Sequence, residues 1–146
     1  MPGTETSTFV GNPVARPDGE RFAIFYVLFK RFRIFEANGT LLCDIAVEEP
    51  PFGNRFTTDY SVPYRYYYGY PQATQDCIYV TCMNTGDEWK SNPCVELQVW
   101  DWSGTPIARY ILDHNIALIA LSESANELYG MGYDGQLYVY NLPNNN

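Results

Sequence analysis

Four cysteines, a single histidine, a run of tyrosines and a scatter of loop carboxylates are the residues of this chain whose types could do chemistry. Cys43, Cys77, Cys82 and Cys94 lack the Cys-x-x-Cys spacing of a zinc or redox centre. Cys77 and Cys82 point to opposite faces of one expected strand, because an odd separation switches sides. Cys82 ends that strand and Cys94 begins the next, so the two can face each other across the base of a hairpin. Directly opposed antiparallel residues lie about 4.5–5.5 Å apart at Cα, within reach of a disulfide. Buried thiols are the plain alternative. His114 sits in Asp113-His114-Asn115. A Ser-His-Asp reading needs a positioned nucleophile, and the G-x-S-x-G elbow does not occur. One histidine also cannot build a His-rich zinc site without ligands from a partner. A turn histidine bonding locally is therefore expected, with no catalytic residue, metal or cofactor.

Glu48, Glu49, Asp59, Asp87 and Glu88 all fall in expected connectors. Carboxylates paired across a sugar hydrolyse glycosides, which makes a glycan-directed hydrolase one reading. Solvated loop acids explain the same residues, and no D-x-D-x-D-G calcium loop is present. The tyrosines form the stronger candidate. In Tyr64-Arg65-Tyr66-Tyr67-Tyr68-Gly69-Tyr70, strand alternation puts Tyr64, Tyr66, Tyr68 and Tyr70 on one face. Such a face is either packing between sheets, with each hydroxyl finding a partner, or a platform for a sugar or peptide. Trp89, in the polar loop Asn84–Lys90, is a second candidate anchor.

The elements that must position these residues repeat one phrase, an apolar strand, a glycine turn and another strand. It is written Arg33-Ile34-Phe35-Glu36-Ala37-Asn38-Gly39-Thr40, then Gln98-Val99-Trp100-Asp101-Trp102-Ser103-Gly104-Thr105, then Leu128 to Tyr140 around Asp134-Gly135. Repeated hairpins of this kind predict stacked sheets, the blades of a β-propeller. Phe22 to Phe29 is apolar on both faces, as a strand covered on both sides must be. Lys30-Arg31-Phe32-Arg33 is read as a solvated hairpin turn after it, and Asn38-Gly39 as a type I′ turn. Glu48 to Pro63 breaks the pattern as a long connector between units. Ile116 to Leu121 is a short apolar run, better suited to a buried strand than to an amphipathic helix. The expectation is an all-β, single-domain chain over residues 1–146, with about three four-stranded antiparallel blades at 16–48, 64–113 and 116–142. The last blade lacks its outer strand.

Composition narrows the function classes. A formal charge of -8 lacks the basic footprint that phosphate binding requires, so nucleic acid is not an expected partner. No stretch approaches the roughly 18 apolar residues of a membrane-spanning helix. Met1-Pro2-Gly3-Thr4-Glu5 has neither the basic start nor the apolar run of a signal peptide, and the chain reads as soluble with its compartment open.

Tyr66-Tyr67-Tyr68-Gly69-Tyr70-Pro71-Gln72, Val99-Trp100-Asp101-Trp102-Ser103-Gly104-Thr105-Pro106-Ile107 and Tyr110-Ile111-Leu112-Asp113 together resemble the TolB-like six-bladed propeller proteins of Bacteroides-type bacteria. The resemblance runs from about Arg16 onward and implies a propeller without an established catalytic activity, so it carries no active-site residues to this chain. Members of that family are about twice as long, so this chain resembles a C-terminal half or a short version. Three blades do not close a ring, and an open arc exposes the apolar flanks of its end blades. The expected function is a non-catalytic binding or scaffold propeller of unknown ligand, a small molecule, glycan or protein, completed by a second copy as a homodimer. The β-prone segment Thr6-Ser7-Thr8-Phe9-Val10 is expected to supply the strand missing from the partner's last blade.

Overall fold

The computed structural model describes residues 10–47, 66–85, 95–124 and 126–143, and every element in them is a β-strand. The first sheet holds β1 (Gly11–Ala15), β2 (Arg21–Tyr26), β3 (Arg31–Glu36) and β4 (Leu41–Ala46), antiparallel and in chain order. The second holds β5 (Tyr66–Tyr68), β6 (Gln72–Ala73), β7 (Cys77–Thr85), β8 (Val95–Asp101) and β9 (Pro106–Leu112). β5 and β6 both pair with β7, so they are two halves of one rung interrupted at Gly69-Tyr70-Pro71. The third sheet holds β10 (Ile116–Ser122), β11 (Glu127–Gly132) and β12 (Leu137–Asn141). The fold is all-β, with three antiparallel sheets arranged as propeller-like blades, and the third is one strand shorter than the first.

The sheets stack in chain order because their side chains alternate. Phe25, Phe32 and Ile34 of the first sheet meet Tyr68, Ile78, Val80 and Trp100 of the second in one core. Phe32 is stacked on Phe25 at 4.6 Å between ring centroids, and Trp100 stands 4.7 Å from it. The opposite face of the second sheet packs Leu97 and Leu112 against Ile116, Ile119 and Leu128 of the third. β8 is accordingly buried from Val95 to Trp100 without alternation, as expected of a strand covered on both faces. β6 lies beside β1 on one side and β10 on the other, so the three sheets converge along these strands.

The repeated phrase folds into the same turn in each of its three copies. The N–H groups of Gly39, Gly104 and Gly135 donate to the carbonyls of Glu36, Asp101 and Gly132, at 2.9, 3.1 and 3.0 Å. Each glycine has a positive φ, between 78° and 90°, whereas Asn38 and Asp134 do not. The expected type I′ turn at Asn38-Gly39 is therefore corrected to a type I turn closing on a left-handed glycine, the three-residue hairpin loop. Its side chains explain the preference for Asx. Asn38 Oδ1 accepts the Thr40 N–H at 2.9 Å, and Asp134 Oδ1 accepts that of Gln136 at 3.0 Å.

Three expectations at the first sheet change. Its first strand, β1, precedes the expected start at residue 16. Gly11 and Pro13 hid it, since both are depleted in strands, but an edge strand tolerates a proline. Val10 accepts a hydrogen bond from Val27 N–H within its own sheet, and Thr6 to Phe9 lie outside the described residues. Lys30 to Arg33 is not a solvated turn. Lys30 is 5% exposed and Phe32 fully buried, because β3 begins at Arg31 and turns alternate residues into the core. Arg31 and Arg33 face outward, where Arg31 grips Asp44 through both carboxylate oxygens at 2.6 and 2.7 Å and Arg33 approaches at 3.2 Å.

These ion pairs set an acid limit on the fold. The Arg31 hydrogen bonds hold the Asp44 carboxyl below its ordinary range, with Arg33 contributing further. The Arg16 guanidinium does the same to Asp18, which also accepts from the Glu20 N–H and from Gln75 of the second sheet at 2.6 Å. A folded pKa below the unfolded one contributes stability that is present above about pH 4, the ordinary carboxylate value, and is lost as pH falls through the folded values. The melting temperature is expected to be level from pH 7 to 5 and to fall below about pH 4. An Asp18→Asn, Asp44→Asn double variant should melt lower at neutral pH and show a shallower acid slope. Parallel slopes for the two proteins in a calorimetric pH series would refute the assignment.

Candidate functional site

The tyrosine face expected at Tyr64, Tyr66, Tyr68 and Tyr70 does not assemble. β5 carries a register shift between Tyr66 and Tyr68, and the strand ends at Tyr68. Tyr67 and Tyr68 are consequently both buried in the first core, at 3% and 1% exposure, while Tyr66 is half-buried and Tyr70 lies exposed beyond the strand. The Tyr68 hydroxyl donates to Gln98 Oε1 at 2.8 Å and its ring meets Phe25 edge-on. Tyr68 is a packing residue, not a ligand platform. Tyr64 and Trp89 lie outside the described residues, as do Glu48, Glu49, Asp59, Asp87 and Glu88.

Cys77 and Cys82 do occupy opposite faces of β7. Cys82 is buried toward the first sheet, and Cys77 is half-buried on the side of the third. β7 runs past Cys82 to Thr85, and register places Glu96 directly opposite Cys82. The direct opposition expected of Cys94 is corrected accordingly. Cys94 itself, and with it the bridge, lies outside the described residues. His114 bonds locally, as its neighbours in sequence suggest. Its Nδ1 lies 2.7 Å from Asp113 Oδ1, its ring stacks on Tyr138 at 3.9 Å, and the Tyr140 hydroxyl donates to Asp113 at 3.1 Å. The His114 hydrogen bond holds the Asp113 carboxyl below its ordinary range. Its partners are thus a carboxylate and two phenols. No group of three or more metal-ligating side chains occurs among the described residues.

What the tertiary structure does assemble is a cleft of about 390 Å³ between the second and third sheets. Val99 and Thr74 are its buried lining residues. Tyr79 of β7 and Tyr110 of β9 contribute half-buried rings, and Leu121 and Leu142 close the side of the third sheet. Asp76 and Glu123 stand exposed at the rim. Burial raises the Tyr79 phenol above its ordinary pKa, with Cys77, Tyr110 and Glu123 adding to the effect, so these groups lie within electrostatic reach of one another. Burial likewise raises Cys77, with Asp76 reinforcing it, which keeps the sulfur a thiol at neutral pH and unsuited to nucleophilic attack. The sequence carries no local signal for this cleft, because its lining comes from the β6–β7 turn, β7, β8, β9, the end of β10 with the turn after it, and the residues following β12.

No protein-family model matches the chain, and neither does any curated protein. Among solved structures it is similar to the computationally designed Ika4 protein, at 8% identity and a TM-score of 0.38 over 85% of this chain and 86% of that one. It is also similar to the tricorn protease, at 12% identity and a TM-score of 0.45 over 88% of this chain and 16% of that one. The designed Ika8 protein is a third, at 12% identity and a TM-score of 0.37 over 84% of this chain and 43% of that one. Likenesses this distant carry no activity across, and the propeller-like reading stands on the three sheets themselves.

Proposed function

We propose that this chain is a non-catalytic binding or scaffold module, an arc of three propeller-like blades completed by a second copy of itself. The observation that carries this reading is the outer face of the third sheet. Register aligns Leu118, Met131 and Leu137 in one row and Ala120, Tyr129 and Val139 in the next, all on the face turned away from the second sheet. Leu137 is 72% exposed and Val139 55%. A continuous apolar sheet face of this kind marks an interaction surface.

The second sheet shows what such blades require, since both of its faces are covered by neighbours. The outer face of the first sheet offers a complement. Its half-buried Phe22, Ile24 and Phe35 are apolar, and among the described residues of that face Arg31 and Arg33 outnumber Asp44 beside them. The third sheet presents Glu127 on the same face as Tyr129 and Met131. The third sheet of each copy would then cover the first sheet of the other, giving two equal contacts around a two-fold axis. The blade number implied by the TolB-like resemblance agrees with two such arcs, as does an edge at β12 with no further strand paired to it among the described residues.

Sedimentation equilibrium at micromolar concentration is expected to give twice the 16.7 kDa chain mass. A Leu137→Glu, Val139→Glu double variant should sediment as a folded monomer, with its β-sheet circular dichroism retained. A wild-type chain that stays monomeric at tens of micromolar defeats the reading.

A further inference from the structure

The cleft between the second and third sheets lies within one chain and does not depend on closure of a ring. Among the described residues its lining includes two carboxylates, Asp76 and Glu123, and no Lys, Arg or His. The formal charge of -8 on the whole chain adds to the negative potential there. Beneath the rim stand two phenol rings, Tyr79 and Tyr110, over the buried Val99. Neither phenol hydroxyl has a hydrogen-bond partner among the described residues. Both oxygens are therefore available to a proton donor that enters the cleft. The π faces of the same rings attract cations. Leu121, Leu142 and Val99 supply apolar wall for the body of a ligand.

We infer that this cleft is a binding site for a small organic ammonium compound, its cationic nitrogen between the rim carboxylates and the two tyrosines and its apolar body against Val99 and Leu121. Glu123 and Asp76 supply charge, the phenol oxygens accept N–H hydrogen bonds, and the rings and aliphatic wall exclude water from the body. An anion meets two carboxylates and no counter-charge. A neutral ligand of the same shape retains the wall contacts and loses the electrostatic attraction.

Calorimetric titration with three aromatic probes of similar size and different charge separates these cases. Benzylammonium is expected to bind saturably, benzyl alcohol about tenfold or more weakly, and benzoate not at all. Glu123→Gln, at an exposed position, should weaken benzylammonium by about three- to tenfold and leave benzyl alcohol unchanged. Tyr79→Phe keeps the ring and removes only the hydroxyl, so it should weaken the ammonium probe more than benzyl alcohol, whose uncharged O–H donates a weaker hydrogen bond. Benzyl alcohol binding as tightly as benzylammonium, an unaltered affinity in Glu123→Gln, or no saturable binding of the ammonium probe would each overturn the assignment. The monomeric Leu137→Glu, Val139→Glu variant should bind benzylammonium as the wild type does, so loss of the dimer and loss of the site register separately.

Discussion

Replacing Phe32 with alanine is expected to remove about 3–5 kcal/mol of stability, the usual range for deleting a buried phenylalanine ring. Phe32 is fully buried in the core that the first two sheets share. Phe25 stacks on it within its own sheet, and Trp100 meets it from the next. Both neighbours sit on paired strands, so neither can collapse into the space without breaking ladder hydrogen bonds. The cavity therefore stays open, which places the effect in the upper part of that range. Domains of this size hold about 5–15 kcal/mol in all. A fall in melting temperature of about 10 °C or more is expected by differential scanning calorimetry. Phe32→Leu, which refills most of the volume, should cost less than half as much. Equal melting temperatures for wild type and Phe32→Ala would show that the two sheets do not share this core.

Gln98→Ala is expected to cost about 2–5 kcal/mol, for a polar reason. Gln98 is buried at 5% exposure, and its Oε1 accepts from the Tyr68 hydroxyl at 2.8 Å and from the Trp100 indole N–H at 3.1 Å. Its Nε2 donates to Glu96 at 2.7 Å, and Glu96 accepts Arg109 at 2.6 Å from the protein surface. The amide joins two buried aromatic donors to a buried carboxylate and so lets polar atoms sit inside an aromatic core. Removing it takes an acceptor from both donors and leaves Glu96 with one fewer donor, a heavier loss than the bonds were worth net. Gln98→Met, which preserves volume, isolates that contribution. Chemical denaturation should show both variants destabilised with Gln98→Met retaining at least half of the effect. A Gln98→Met protein as stable as the wild type would assign the loss to volume alone.

Much of the architecture can be read from the chain because its signals are local. The glycine turns at Gly39, Gly104 and Gly135 each end a hairpin, and the apolar alternation around Ile34, Val99 and Leu128 orients the strands they join. Where prediction missed, a tertiary partner outweighed a local rule. β1 forms despite Gly11 and Pro13 because β2 offers it an edge. Phe32 is buried because the second sheet covers that face, although the charges around it suggest a turn.

The tyrosines separate the two kinds of information most clearly. Their spacing marks a strand, which forms over Tyr66–Tyr68, but one shifted residue in β5 sends Tyr67 and Tyr68 into the same core and leaves Tyr70 outside. The binding cleft has no equivalent in the linear pattern. Tyr79 and Glu123 stand far apart along the chain and come together only when β10 folds back beside the second sheet. Strand and turn choices depend on backbone geometry within a few residues, so they are written in sequence. Which faces meet, and which remain open for a second copy or a ligand, depends on register between distant strands, where a single-residue shift exchanges inside for outside.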